Sequence, residues 1–190
     1  MAQIGLKYFV CAPLDETGAD ISYSDGMVIA HAIKADIAIS NNEANLFGDD
    51  RAIESVKEFK DGKLTLNCDH LTYDTYSMLL GHSVIKDTAG NMILIAKSDD
   101  SAAYVGVGFY GVTLKNNVEG FRAFWMHKVK FSVPNESFET KGDSTKFGTP
   151  TIEGSIYSDK YLVWKEECTF KDEQAAIAWI NGKAGILVEP

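Results

Sequence analysis

YVGVGFYGVTLKNNVEGFRAFWMHKVKF, residues 104–131, decides the fold. Two runs rich in Val, Phe, Tyr and Trp flank a polar Lys115-Asn116-Asn117 break. Neither run contains proline, so the stretch reads as a long antiparallel hairpin. In the return strand Phe121, Ala123, Trp125, Val129 and Phe131 alternate onto one face. Arg122, Lys128 and Lys130 take the other, where Phe124 and Met126 interrupt the polar pattern. A strand apolar on both faces at its middle is covered by another sheet or by another copy of the chain.

Around this hairpin the composition sets bounds. The chain has 190 residues, 45% hydrophobic and 24% charged, which suits one compact domain, 1–190, with a core of its own. Its net charge of −9 argues against a sequence-independent grip on DNA or on an anionic membrane, because phosphate affinity needs clustered Lys and Arg. Cys11, Cys68 and Cys168 are odd in number, far apart and free of any CxxC, so they read as small buried hydrophobes and not as a disulfide framework or zinc cluster. The first residues carry Lys7 inside a short apolar run, which suits a strand and not a signal-peptide core. The longest later apolar run, 92–96, is too short to span a bilayer. A reducing cytoplasm, with no membrane partner, is the expected place of synthesis.

Upstream of the hairpin, 4–14 reads as a first strand and 27–40 as a second, with Ile33, Ala35, Ile37 and Ile39 alternating against Lys34, Asp36 and Ser40. The pattern then stops. Residues 41–53, NNEANLFGDDRAI, read as a long protruding loop with an exposed Leu46-Phe47 pair, and 56–69 as the strand that follows it. Thr72 caps a short helix that Gly81 ends, and Asp172 caps a second with Ala176, Trp179 and Ile180 on one face and Gly182 after it. Strands at 83–86, 92–97, 149–157 and 162–170 and a polar loop at 134–148 complete the reading. About nine strands and two helices make a mainly β chain: a β-sandwich or barrel with one or two short flanking α-helices and a long protruding loop.

The residues point to no catalytic constellation. Gly106, Gly108 and Gly111 spell GxGxxG, but Val112-Thr113-Leu114 continue a strand where a dinucleotide site needs a helix. Close backbone approach within a curved strand explains these glycines better. His31, His70, His82 and His127 fall in separate elements without metal-ligand spacing, and structural roles explain them better. Adjacent acids at Asp49-Asp50, Asp99-Asp100 and Glu166-Glu167 point apart on extended chain, so they do not form a facing acid-base pair. No nucleophile elbow, phosphate-binding loop or calcium loop occurs, and Asn135-Glu136-Ser137 is a sequon without a secretory signal. No enzyme activity, cofactor or metal is expected. A β domain with open strand edges and an apolar tip risks aggregation unless those features meet a defined partner, and identical copies are the economical partner.

The order and spacing of IGLKYFV, SDGMVIAHAI, NLFGDDRAIES, FKDGKLTLNCDHL, LLGH, AAYVGVGFYGV, FRAFWMHKVKF, KFGTPTIEGSI and FKDEQAAIAWIN cover nearly the whole chain. In that order the chain resembles the major tail proteins, the tail-tube subunits, of long-tailed bacteriophages and prophages of Gram-positive hosts. The resemblance implies a β-sandwich with a flanking helix, six copies per ring, strands of all copies joined in one barrel around a lumen, and rings stacked into a tube. It implies a structural virion protein, placed in the tail, whose partners are itself, the tape-measure protein and other tail proteins. Genome DNA would pass through the lumen during ejection without specific binding. Six copies of −9 would bring about 54 negative charges to a ring, and acids facing the lumen would repel DNA over roughly 8 to 10 Å. The three cysteines match no motif of that family.

On this reading the 41–53 excursion, with Asn45, Leu46, Phe47, Asp49, Asp50 and Arg51, is the candidate contact with a neighbouring subunit or ring; a folded-back loop tip is the alternative. Lys34, Asp36, Ser40, Thr65 and Asn67 are the candidate lumen-facing residues, although outer solvent would serve them as well. Rival readings are the tube of a contractile injection or type VI-like secretion machine, a tail terminator or distal tail ring, and an enzyme or carbohydrate-binding sandwich.

Overall fold

A computed structural model describes residues 2–48, 51–136, 140 and 148–186, and the chain is mainly β. In chain order its elements are β1 (Ala2–Asp15), β2 (Ser22–Tyr23), β3 (Met27–Ala30), β4 (Ala32–Gly48), β5 (Arg51–Cys68), α1 (Tyr73–Leu80), β6 (Ser83–Lys86), β7 (Met92–Ile95), β8 (Tyr104–Lys115), β9 (Val118–Phe131), β10 (Thr151–Tyr157), β11 (Lys165–Phe170) and α2 (Glu173–Ala184). The 104–131 stretch is the hairpin its sequence predicts. Asn116 and Asn117 both take positive φ, 53° and 60°, as a tight two-residue hairpin turn requires. No described helix is long and apolar enough to cross a membrane.

All strands except β6 and β7 form one antiparallel sheet, ordered β2-β1-β8-β9-β10-β5-β4, with β11 beside β9 and β3 beside β1. β3 and β4 are nearly one strand that changes partner. Ala30 pairs with Phe9 of β1, His31 intervenes, and Ala32 pairs with Cys68 of β5. Asp69 holds the joint: its Oδ1 accepts the His31 N–H at 3.0 Å, and its own N–H donates to the His31 carbonyl at 3.3 Å. The sheet thereby curls round on itself as a small barrel joined at β1 and β3, while β4 beyond this joint keeps an open edge.

The barrel interior is apolar, with Phe9, Cys11, Leu64, Leu66, Val105, Val107, Met126, Val129, Ile152 and Ile156 all fully buried. α1 closes one end with Leu79 and Leu80. Its Thr72 cap and its Gly81 stop, at φ 76°, are as the sequence predicts. α2 packs outside, laying Ala176, Ile180 and Ala184 on Val10, Ala12, Ala123 and Trp125. A Cβ at Gly106 or Gly108 would stand 2.4 or 2.7 Å from the Trp125 ring, so these glycines make room for it in an unbroken strand.

Four expectations need correction. First, β9 does not keep Phe121, Ala123, Trp125, Val129 and Phe131 on one face. Between the pairs Val107↔Met126 and Val105↔Val129, β8 advances two residues and β9 three, a bulge at His127-Lys128. Phe121, Ala123 and Trp125 therefore lie under α2, while Val129 and Phe131 line the barrel interior. Second, α2 runs through exposed Gly182 and stops at Gly185, which takes φ 67° where a Cβ would sit 2.6 Å from the Tyr23 carbonyl oxygen. Third, Cys168 is only half-buried, unlike Cys11 and Cys68. Fourth, the 41–53 excursion is largely paired strand: β4 runs on to Gly48 and β5 begins at Arg51. Most of the 134–148 loop lies outside the described residues.

Candidate assembly surface

Residues 41–48 and 51–59 form a hairpin arm. Pairing continues past the barrel from Asn41↔Phe59 through Ala44↔Val56 and Asn45↔Ser55 to Gly48↔Arg51. At about 3.3 Å per residue the eight residues 41–48 reach roughly 26 Å. Residues 41–45 and 55–58 are all exposed, including Ala44 and Val56, so neither face of the arm meets the body. Both edges are open too, since β10 pairs β5 only from Gly62 to Asn67 and no described strand flanks β4 on its outer side. Of the candidate contact residues, Asn45 is exposed and Leu46, Phe47 and Arg51 are strand backbone near the tip; Asp49 and Asp50 lie outside the described residues.

Phe59 roots the arm. It is the half-buried exception in an exposed stretch, and its ring lies parallel to Trp164 with centroids 4.7 Å apart. Lys165 adds a cation 5.1 Å from the Trp164 ring. The sequence does not reveal this contact, because Phe59 and Trp164 are far apart in the chain.

The five lumen candidates share one face. Lys34 pairs with Asn67 and Asn67 with Thr151; Asp36 pairs with Thr65 and Thr65 with Glu153. Ser40 pairs with Asp61 further along β4 and β5. The result is a polar wall across β4, β5 and β10, whose members Thr151, Glu153 and Ser155 sequence reasoning missed. The alternation of β10, exposed and buried by turns over TIEGSIY, was the available signal. Around Ala38, Ser40, Gly62, Ser132, Gly154 and Ser155 small side chains leave a shallow groove of about 460 Å³. Four of the charges on this wall are paired, Lys34 with Asp36 at 2.5 Å and Lys63 with Glu153 at 2.7 Å, while Asp61 adds a further carboxylate. The ion pairs cancel most of the charge on this face, so it is not densely acidic, and exposed pairs of this kind add little stability.

Beside the wall, β4 leaves its own apolar row partly uncovered. Ala35 and Ile37 pack on the barrel core, yet Ile33 is 50% and Ile39 40% exposed along an open edge. A long edge strand with half-exposed isoleucines is a template for pairing with another chain.

Elsewhere the charged groups are turned inward on each other. The His127 ring lies between Asp159 and Glu166, with Nδ1 2.7 Å from one carboxylate and Nε2 2.8 Å from the other. Asp159 also accepts the Tyr161 and Val163 N–H groups, which ties the β10–β11 connection to the β9 bulge. Burial works to raise the Glu166 pKa, but Lys183 at 2.6 Å and His127 overcome it and hold it below the usual carboxylate range. Glu167 points the opposite way, where Arg122 and then Lys165 lower its pKa, as expected for neighbours on a strand. His82 is likewise buried against Asp100 at 2.8 Å. Among the described residues no group of His, Cys, Asp and Glu is arranged to hold a metal ion. The cleft of about 570 Å³ at His127 is lined by side chains that already satisfy one another.

No family model matches the chain, and no curated protein matches it in sequence.

Proposed function

We propose that this chain is a self-assembling structural subunit of the phage tail-tube type, which forms stacked hexameric rings around a channel for genome DNA. The arm carries this reading. It carries paired strand over roughly 26 Å, with both faces exposed at 41–45 and 55–58 and both edges open among the described residues, a geometry that costs conformational entropy and gains little burial until another chain covers it. The open edge of β4 supports the same reading, since strand addition from an identical subunit would satisfy its N–H and C=O groups. The polar wall serves as the channel lining in this proposal, its paired charges presenting no cluster of cations that would hold DNA by counterion release.

Negative-stain electron microscopy of the protein, concentrated and then seeded with tail-tip complexes, tests the reading. Hollow filaments are expected, and persistent single subunits under both conditions would overturn it. Leu46→Asp with Phe47→Asp should give a folded protein that forms no tube; normal tubes from this variant would remove the arm tip from the contact.

A further inference from the structure

We infer that the β6–β7 hairpin is the surface that receives the arm of the next copy of this chain. The inference rests on the self-assembly reading and names the receiving site. Among the described residues Ser83–Lys86 and Met92–Ile95 pair only with each other, as a two-stranded sheet separate from the barrel. Six of their eight residues are Val, Ile, Leu or Met, and none of the eight is buried. Cross-strand pairing puts Ile85 with Ile93 on one face and Val84 with Leu94 on the other. Ile85 is 47% and Ile93 40% exposed, and neither pair joins the barrel core or the α2 layer. Val84 and Leu94 are half-buried, so the Ile85-Ile93 face is the open one; an isolated two-stranded hairpin is marginal in water, and an exposed apolar face on it makes sense only with a cover.

A second copy fits because the chain carries the complementary element at its other end. β5 runs antiparallel to β8 through β10 and β9, so the β5–β8 connection, which holds α1 and β6–β7, lies at one end of the barrel. The β4–β5 turn lies at the opposite end. Each hairpin has two open edges, and each presents exposed aliphatic residues, Ala44 and Val56 on the arm against Ile85 and Ile93 here. Edge-to-edge addition would complete the ladders of both. A donor at one end and an acceptor at the other make a head-to-tail contact, which repeats without limit and so builds a filament.

Two variants separate the halves of the contact: Ala44→Lys with Val56→Lys in the arm, and Ile85→Lys with Ile93→Lys in β6–β7. All four side chains are exposed, so each variant should keep the wild-type circular dichroism and melting temperature. Alone, neither should stack. In an equal mixture one intact arm meets one intact acceptor, and sedimentation should show a species twice the mass of the largest formed by either alone. Tubes of normal length from Ile85→Lys with Ile93→Lys would overturn the inference and leave the tube reading standing. Wild-type protein that stays single under concentration and seeding would overturn both. Should a lysine variant fail to fold, Val56→Cys and Ile93→Cys on separate chains, each with Cys168→Ser, decide the matter. A bis-maleimide should join them into a dimer, and no crosslink would refute the contact.

Discussion

The chain builds two long hairpins from the same backbone pairing and treats them in opposite ways. β8–β9 is covered on both faces, by the barrel interior on one side and α2 on the other, whereas residues 41–45 and 55–58 of the β4–β5 arm are exposed on both. The difference lies in side-chain volume. β8–β9 interlocks Trp125 with Gly106 and Gly108 and packs Phe109 edge-on against Phe9 and tilted against Phe124, with ring centroids 5.7 and 5.2 Å apart. The described part of the arm offers Asn41, Asn42, Glu43, Ala44 and Asn45 opposite Ser55, Val56, Lys57 and Glu58. Hydrogen bonds fix the shape of either hairpin, but only apolar burial fixes it to the body.

That contrast gives a ranked set of outcomes. Trp125→Ala should cost about 3–5 kcal/mol in denaturant unfolding, because a fully buried indole leaves a cavity under α2. Gly108→Ala should cost about 1–3 kcal/mol, since its Cβ would press on Trp125 and Ile180 at 2.7 and 2.8 Å.

Acid should weaken the body. The pKa values of Glu166, Glu167 and Glu173 are all held low by ion pairs and hydrogen bonds, those of Glu173 coming from Lys7 and Tyr110. A carboxylate whose folded pKa lies below its unfolded value stabilises the fold above that unfolded value, and the contribution fades as pH falls through the folded one. Calorimetry should therefore find a melting temperature several degrees lower at about pH 3 than at about pH 5.

Phe59→Ala is the substitution that couples the two regions. It should cost only about 1 kcal/mol globally, because the Phe59 ring is half-buried. Hydrogen exchange should nevertheless quicken at 41–45 and 55–58; unchanged exchange there would show that Trp164 does not hold the arm. Val56→Lys should change stability by less than about 0.5 kcal/mol in the single subunit, the smallest effect of the series.

Much of this body was legible in the residues. The Asn116-Asn117 turn, both helix caps at Thr72 and Asp172, and the alternation of β4 and β5 each follow from local chemistry. Periodicity could not place the β9 bulge, since one added residue leaves the composition of each half unchanged and only reverses which face is apolar. The arm reads as a loop in sequence because its polar residues lack the hydrophobic alternation that marks a half-buried strand. It is a strand by pairing alone.

The candidate site divides in the same way. Lys34, Asp36, Ser40, Thr65 and Asn67 could be assigned to the polar side of their strands from alternation, and the structure sets them on one wall. Their charge balance depended on Glu153 of β10, which sequence order separates from Lys63 by ninety positions and pairing brings to 2.7 Å.

By itself the sequence determined an acidic, mainly β chain, its principal hairpin and its helix ends, because turns, caps and alternating patterns act over a few neighbouring residues. Only the tertiary structure decided that the sheet closes at His31, that β9 reverses its faces at His127, and that two hairpins with exposed aliphatic residues stand at opposite ends of the barrel. Closure, bulge register and exposure are set by which distant strands meet, and burial is a property of the whole packed chain.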